Sequence, residues 1–204
     1  MQNEQILLWA GLIAAGYLLG SCMFSLWLPL LLLNRNVHVE SDDGCPGAAN
    51  VFKLCNWRLG LLCLLLDMGK GFLPVYLGIR FCDPQDWLFA LLMLTPVLGH
   101  AWSVFWKFQG GKCIATIFGE MIALLWVSQI GLALCVLYIF FSTVVVISPN
   151  RNRSIFVFSL FLLCAVCSAL LFGKYAIGAG CLLISLVAII KHLPPAEISS
   201  IPDQ

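Results

Sequence analysis

Charge is what this sequence has least of. Of its 204 residues only 10% are Asp, Glu, Lys or Arg, against about 25% in soluble domains. Apolar residues make up 61% and mean hydropathy is +0.98, more apolar surface than a soluble core absorbs. That excludes a soluble enzyme and leaves an integral membrane protein. A formal net charge of +1 lacks the basic footprint that nucleic acid requires, so no nucleic-acid partner is expected. A basic n-region is missing from Met1-Gln-Asn-Glu-Gln5, and the apolar run behind it is too long for a removable signal peptide; it reads as a first span. Cys164 and Cys167 have no matching second pair, and seven of the ten cysteines fall in apolar runs. They read as small hydrophobes, and neither a metal nor a disulfide scaffold is expected. No internal repeat of the kind many transporters carry is present.

What is present is a series of seven apolar runs, near residues 6–33, 59–79, 87–106, 113–128, 130–148, 154–171 and 174–191. A spanning helix needs roughly 20 such residues, so the expectation is an all-α, seven-span bundle forming a single membrane domain over residues 1–204. With the N-terminus outside, the cytoplasmic side receives Arg35, Lys53, Arg58, Lys107, Lys112, Arg151, Arg153 and Lys191, and the outer side only Arg80 and Lys174. Eight against two fixes that orientation, with the C-terminus cytoplasmic. Small residues at Gly11, Ala14, Gly16 and Gly20 suggest close helix packing along the first run.

Charges inside the runs are costly and call for partners. Asp67 and Lys70 stand three apart in Leu66-Asp-Met-Gly-Lys-Gly71 and can meet on one helix face, which favours a structural ion pair over a role toward substrate. Glu120 has no sequence partner. His100 lies within the third run.

Two cytoplasmic stretches carry chemistry. In Gly99-His-Ala-Trp-Ser-Val-Phe-Trp-Lys-Phe-Gln-Gly-Gly-Lys-Cys-Ile-Ala-Thr116 one apolar run ends, a short polar turn intervenes and another run begins. Gly110 and Gly111 let the backbone turn sharply and expose N–H groups, and a helix starting near Cys113 adds the positive end of its dipole. Lys112 then stands where donors converge, which suits phosphate. A basic hairpin that merely orients two helices is the other reading. The pattern is not a Walker A loop, which needs glycine at Trp106 and Ser or Thr at Cys113. The long loop 34–58 holds Gly44, Pro46 and Gly47, which favour turns. A helix beginning after Gly47 puts Asn50 and Lys53 on one side, facing an anion or simply solvent.

The order and spacing of these motifs resemble the bacterial acyl-phosphate:glycerol-3-phosphate acyltransferases. The series runs through Gly20-Ser21, Gly47-Ala-Ala-Asn50-Val-Phe-Lys53, Leu66 to Gly71, and Gly99-His100 through Gly110-Gly-Lys112-Cys-Ile-Ala-Thr116. It covers about residues 8–192. The resemblance implies seven spans in the bacterial cytoplasmic (inner) membrane and an active site on the cytoplasmic face. It implies transfer of a fatty acyl group from acyl phosphate to glycerol 3-phosphate, giving 1-acylglycerol 3-phosphate and phosphate for phospholipid synthesis. An acyl phosphate is already an activated mixed anhydride, so no metal or cofactor is implied. The implied partners are the two substrates, the bilayer and the enzyme that supplies acyl phosphate. Carried over by position, Lys112 matches the family's phosphate-binding lysine, Gly110 and Gly111 its glycines, and Asn50 the asparagine of its Gly-Ala-Thr-Asn. Lys53 stands at its arginine, Ser154 at one serine of a pair, and His192 at its C-terminal histidine.

The departures cluster on one side of the reaction. Asp43 stands at a family serine, Cys45 at an asparagine and Ala49 at a threonine; Gly44 lies between the first two. The serine pair has become Arg151-Asn-Arg-Ser154, and an asparagine after His192 is Pro195. Asp43 could act as general base with His192 beside it, Arg151 or Arg153 restoring phosphate contacts. Alternatively the chain is an impaired paralogue that binds acyl phosphate or anionic lipid without turnover. A small-molecule transporter is the third reading.

Overall fold

The computed structural model describes residues 2–193. Every regular element among them is helical. The first apolar run is not one helix. α1 (Gln2–Ser21) stops and α2 (Phe24–Leu33) starts after a break at Cys22–Met23, where the expected span 6–33 ran straight through. α2 closes on Asn34 in the left-handed region at φ 53, whose N–H bonds to Leu30 O, while the Arg35 N–H bonds to Pro29 O. Asparagine tolerates that conformation. The cytoplasmic loop then folds as α3 (Val37–Glu40) and α4 (Ala48–Leu54), so the helix expected after Gly47 is there.

The remaining elements are α5 (Trp57–Phe81), α6 (Trp87–Ala101), α7 (Ile114–Leu124), α8 (Ile130–Thr143), α9 (Asn150–Phe172) and α10 (Tyr175–His192). Side chains start two of them: Asn56 accepts the Leu59 N–H ahead of α5, and Asp86 that of Leu88 ahead of α6. α9 begins four residues before the expected 154, so Arg151, Arg153 and Ser154 belong to its first turns and not to a connection. Among the described residues four helices are long and apolar enough to cross a membrane: Asn3–Ser21, Trp57–Phe81, Asn150–Phe172 and Tyr175–His192. α7 has 11 residues and rises about 16 Å, roughly half of a hydrocarbon core.

Lipid tails are as apolar as leucine, so helices in a membrane associate through close packing more than through burial from water. Here glycines let backbones touch. A Cβ on Gly71 would lie 2.1 Å from Thr116 O, and one on Gly119 would lie 1.9 Å from Met68 O. That reciprocal pair seats α5 on α7. In α1 the expected small-residue face is only half used. Gly16 and Gly20 pack on Thr95 and Pro96 of α6, whereas Gly11 meets nothing within 4 Å and Ala14 is exposed. The core between α6, α7, α9 and α10 is filled by Phe89, Met93, Ile117, Met121, Phe158, Phe161 and Ile184.

Candidate functional site

The turn after α6 is built by backbone bonds and by approach distances. Ser103 and Gln109 form a short antiparallel bridge: the Ser103 N–H donates to Gln109 O at 2.9 Å and the Phe108 N–H to Ser103 O at 2.8 Å. Inside it lies one 3-10 turn, Val104–Trp106. Positive φ angles fall on Lys107, Phe108 and Cys113, not on the two glycines expected to need them. Gly110 and Gly111 are required for another reason. A Cβ on Gly110 would sit 2.1 Å from His100 O, and one on Gly111 would sit 2.3 Å from His100 Nε2. The Gly111 N–H is already spent on His100 O at 3.0 Å, so the donors open to a ligand belong to the first turn of α7, where Ile114 and Ala115 line the cavity. Gly110→Ala is therefore expected to displace the turn by about 1 Å and cost about a hundredfold in turnover. Kinetics of the variant beside its thermal unfolding check this, and wild-type rates would refute the close-packing account.

That turn forms one wall of a cavity of about 500 Å³, closed by α4, α5, α8, α9 and α10. Asp43, Asn50, Lys53, Lys112, Ser154 and His192 all line it. Gly110 and Gly111 stand behind Lys112, and Gly44 shapes the loop that carries Asp43. Pro195 lies outside the described residues.

Asp43 does not point at empty space. Its Oδ2 pairs with Lys112 Nζ at 2.6 Å; its Oδ1 accepts from Asn50 Nδ2 at 2.7 Å and from the Cys45 N–H at 3.2 Å. Burial on its own would raise the carboxyl pKa, but the bonds from Lys112, Asn50 and Cys45 outweigh it and hold the group below its usual 3.8. On the acid side the carboxylate therefore stays ionised, and the pair opens only as pH falls below the ordinary carboxylate range. The loop is tied down a second time. Gly44, at φ 59, offers its carbonyl to His38 Nδ1 at 2.5 Å, and the His38 ring stands edge-on to Trp106 at 4.9 Å. Both amide protons of Asn50 are engaged, the second by Cys45 O at 2.8 Å. Burial pushes the Cys45 thiol up to about 11, which leaves it unreactive, and all ten cysteines are free.

Other parts of the cavity supply cations and an imidazole. Lys53, Arg151 and Arg153 line it, with the Arg153 guanidinium 5.7 Å above the Tyr138 ring. Ser154 Oγ donates its one proton to Asn150 O at 3.0 Å, so the 2.6 Å contact with Tyr138 is a bond that the tyrosine donates. Ser154 is left as an acceptor. His192 Nδ1 bonds to Ala188 O at 2.7 Å; a carbonyl only accepts, so that nitrogen carries the proton and Nε2 is free to take one. Lys191 Nζ bonds to Ala101 O at 3.0 Å and holds the end of α10 against the end of α6.

Asp67 and Lys70 form the expected pair at 2.8 Å, and both are buried. Ser25 Oγ donates to Asp67 at 2.6 Å, and Lys70 Nζ to Cys22 O at 2.6 Å, the carbonyl released by the break after α1. Asp67 also lines the cavity, as do His100 and Tyr138, to which sequence reasoning assigned no role. The Gly99-His100 pair was the available signal for His100; nothing marked Tyr138. Glu120 is fully buried with neither oxygen bonded and does not line the cavity. Among the described residues no cluster of three or more His, Cys, Asp or Glu could hold a metal.

Comparison with known proteins gives concordant matches. Residues 10–198 match the glycerol-3-phosphate acyltransferase family. Glycerol-3-phosphate acyltransferases of Maridesulfovibrio salexigens and Myxococcus xanthus are 34% identical over 119 residues and 38% identical over 131. Those matches cover 58% and 64% of this chain but only 60% and 66% of the relatives' own length. Crystal structures of PlsY (YgiH), an integral membrane glycerol 3-phosphate acyltransferase, superpose at 25% identity over 90% of this chain. The glycerol 3-phosphate form gives a TM-score of 0.76 over 88% of that chain, and the lysophosphatidic acid form 0.73 over 87%.

Proposed function

This chain belongs to the glycerol-3-phosphate acyltransferase family, and we infer that it transfers a fatty acyl group from acyl phosphate to glycerol 3-phosphate. The observation that carries the reading is one cavity lined by Lys53, Lys112, Arg151 and Arg153 with His192 among them. Two phosphate-bearing substrates need that many cations, and their acyl and glycerol ends must meet between them.

The chemistry balances with these residues alone. The acceptor's primary hydroxyl oxygen forms the new C–O bond to the acyl carbon. The bond from that carbon to the phosphate oxygen breaks, and phosphate leaves with the electron pair. Lys112 and the first turn of α7 offset charge on the leaving phosphate, and the acceptor's hydroxyl proton goes to a base. Of the two candidates, His192 has a free nitrogen, whereas Asp43 is committed to Lys112, Asn50 and Cys45. We assign the proton to His192 Nε2.

The seven-span arrangement, with the N-terminus outside and the cavity on the cytoplasmic face of a bacterial inner membrane, belongs to the same proposal. Its support is that the basic connections share a cavity, while residues 125–130 with Leu171, Phe172 and Lys174 line a second one. The implied partner is an enzyme that makes acyl phosphate. One observation favours the reading without turnover: an internal carboxylate already sits on the phosphate lysine. Phosphate release by the purified protein, with acyl phosphate and with or without glycerol 3-phosphate, separates the two. Acceptor-dependent release with formation of 1-acylglycerol 3-phosphate is expected. Bound acyl phosphate without release would overturn the enzyme reading.

A further inference from the structure

We propose that Asp43 is a specificity-determining residue whose carboxylate, resident on Lys112 and Asn50, keeps fatty carboxylates out of the acyl-phosphate site and yields only to phosphate. The proposal rests on Lys112 being the phosphate-binding lysine. A fatty carboxylate has the same apolar tail as an acyl phosphate and one anionic head, so a bare lysine at the mouth of an apolar cavity would accept both.

The geometry removes that ambiguity. Asp43 already gives Lys112 Nζ a carboxylate oxygen at 2.6 Å and takes one Asn50 proton at 2.7 Å. A second carboxylate that displaced it would exchange one charge for one charge and two oxygens for two. It would also leave Asp43 near its competitor. A phosphate brings up to two negative charges and three terminal oxygens. Its second charge has cations to meet, since Lys53, Arg151 and Arg153 line the same cavity. Displacement is thus favourable for phosphate and not for carboxylate. The Asp43–Lys112 contact is also open enough to exchange, with the two side chains 45% and 28% exposed. A half-exposed pair contributes little to stability, so its main effect falls on what Lys112 can bind. Backbone geometry returns the carboxylate to its place: Gly44 is pinned by His38, and the Cys45 N–H bonds to Asp43 Oδ1.

The test compares decyl phosphate with decanoate, two ligands of equal tail, by calorimetry on detergent-solubilised protein at about pH 8. Lys112→Ala serves as the blank for tail partitioning. Wild type is expected to bind decyl phosphate and to show no decanoate binding above the blank. In Asp43→Asn the preference for phosphate should shrink by about tenfold or more, the scale of one charge-assisted contact. Asp43→Ser should do the same and covers the case of an asparagine that does not fold. An unchanged preference in both variants, with decyl phosphate still dependent on Lys112, overturns this proposal and leaves the phosphate site standing. Decyl phosphate binding that ignores Lys112 overturns the site itself and the proposal with it.

Discussion

Replacing Lys112 by alanine is expected to lower acyl-phosphate turnover by about a hundredfold to a thousandfold, the cost of removing one preorganised donor from developing charge. Two features push the effect toward the upper end. Lys112 enters the cavity directly before the first turn of α7, so its ammonium and the open N–H groups of that turn act on one anion. Its removal also leaves Asp43 without its cation, and an uncompensated carboxylate then faces the incoming phosphate. Lys53, Arg151 and Arg153 are held by α4 and α9 and cannot take over the position in front of Gly110 and Gly111. Lys112→Arg should recover part of the rate, because charge is kept while the head changes shape. Steady-state kinetics with acyl phosphate as varied substrate is the measurement. A rate within about threefold of wild type in Lys112→Ala, in protein shown to be folded, would remove Lys112 from the mechanism.

The largest effect on stability is expected at the pair of Asp67 and Lys70. Both are buried, and each has a second partner, Ser25 for the aspartate and Cys22 O for the lysine. Lys70→Met leaves a buried carboxylate with a single hydroxyl, and Asp67→Leu leaves a buried ammonium on one carbonyl. Removing one member of a buried pair costs about 3–5 kcal/mol, whereas replacing both with apolar side chains of similar size is often close to neutral. The double variant Asp67→Leu/Lys70→Met should therefore be more stable than either single one. Thermal unfolding in one detergent reads the order directly, and additive losses would show that the pair is not coupled. Activity should fall in all three, because Asp67 also lines the cavity.

Much of this arrangement was readable from composition and spacing. The apolar runs required helices, the three-residue step from Asp67 to Lys70 required a shared face, and Gly47 marked the start of the helix that carries Asn50 and Lys53. The turn at 107–112 was readable as a site near Lys112, but the reason for its glycines was not. Their lack of a side chain matters because His100 lies against them, and that contact spans a turn whose path no local pattern dictates. Strained φ angles on Lys107, Phe108 and Cys113 are likewise invisible to propensity, since none of these residue types advertises the left-handed region. The break after α1 carries neither proline nor glycine at Cys22 and Met23. The carbonyls it releases are bonded by Lys70 and Ser103, from other parts of the chain. Asp43 was readable as a departure from its family but not as the partner of Lys112, because 69 residues separate them in sequence.

The same break has a bearing on the order in which the protein is made. A helix end carries carbonyls that find no partner within the helix, and lipid offers none. Ser21 O is answered by Ser103 and Cys22 O by Lys70, 82 and 48 residues further along the chain. While α1 and α2 are the only helices to have left the ribosome, neither partner exists. The nascent segment must then remain a straight helix or keep residues 21–23 at the wet edge of the bilayer. The first apolar run is therefore finished only after later helices are made: its break sets when α5 arrives with Lys70 and the turn after α6 arrives with Ser103, the event that also assembles the wall carrying Lys112.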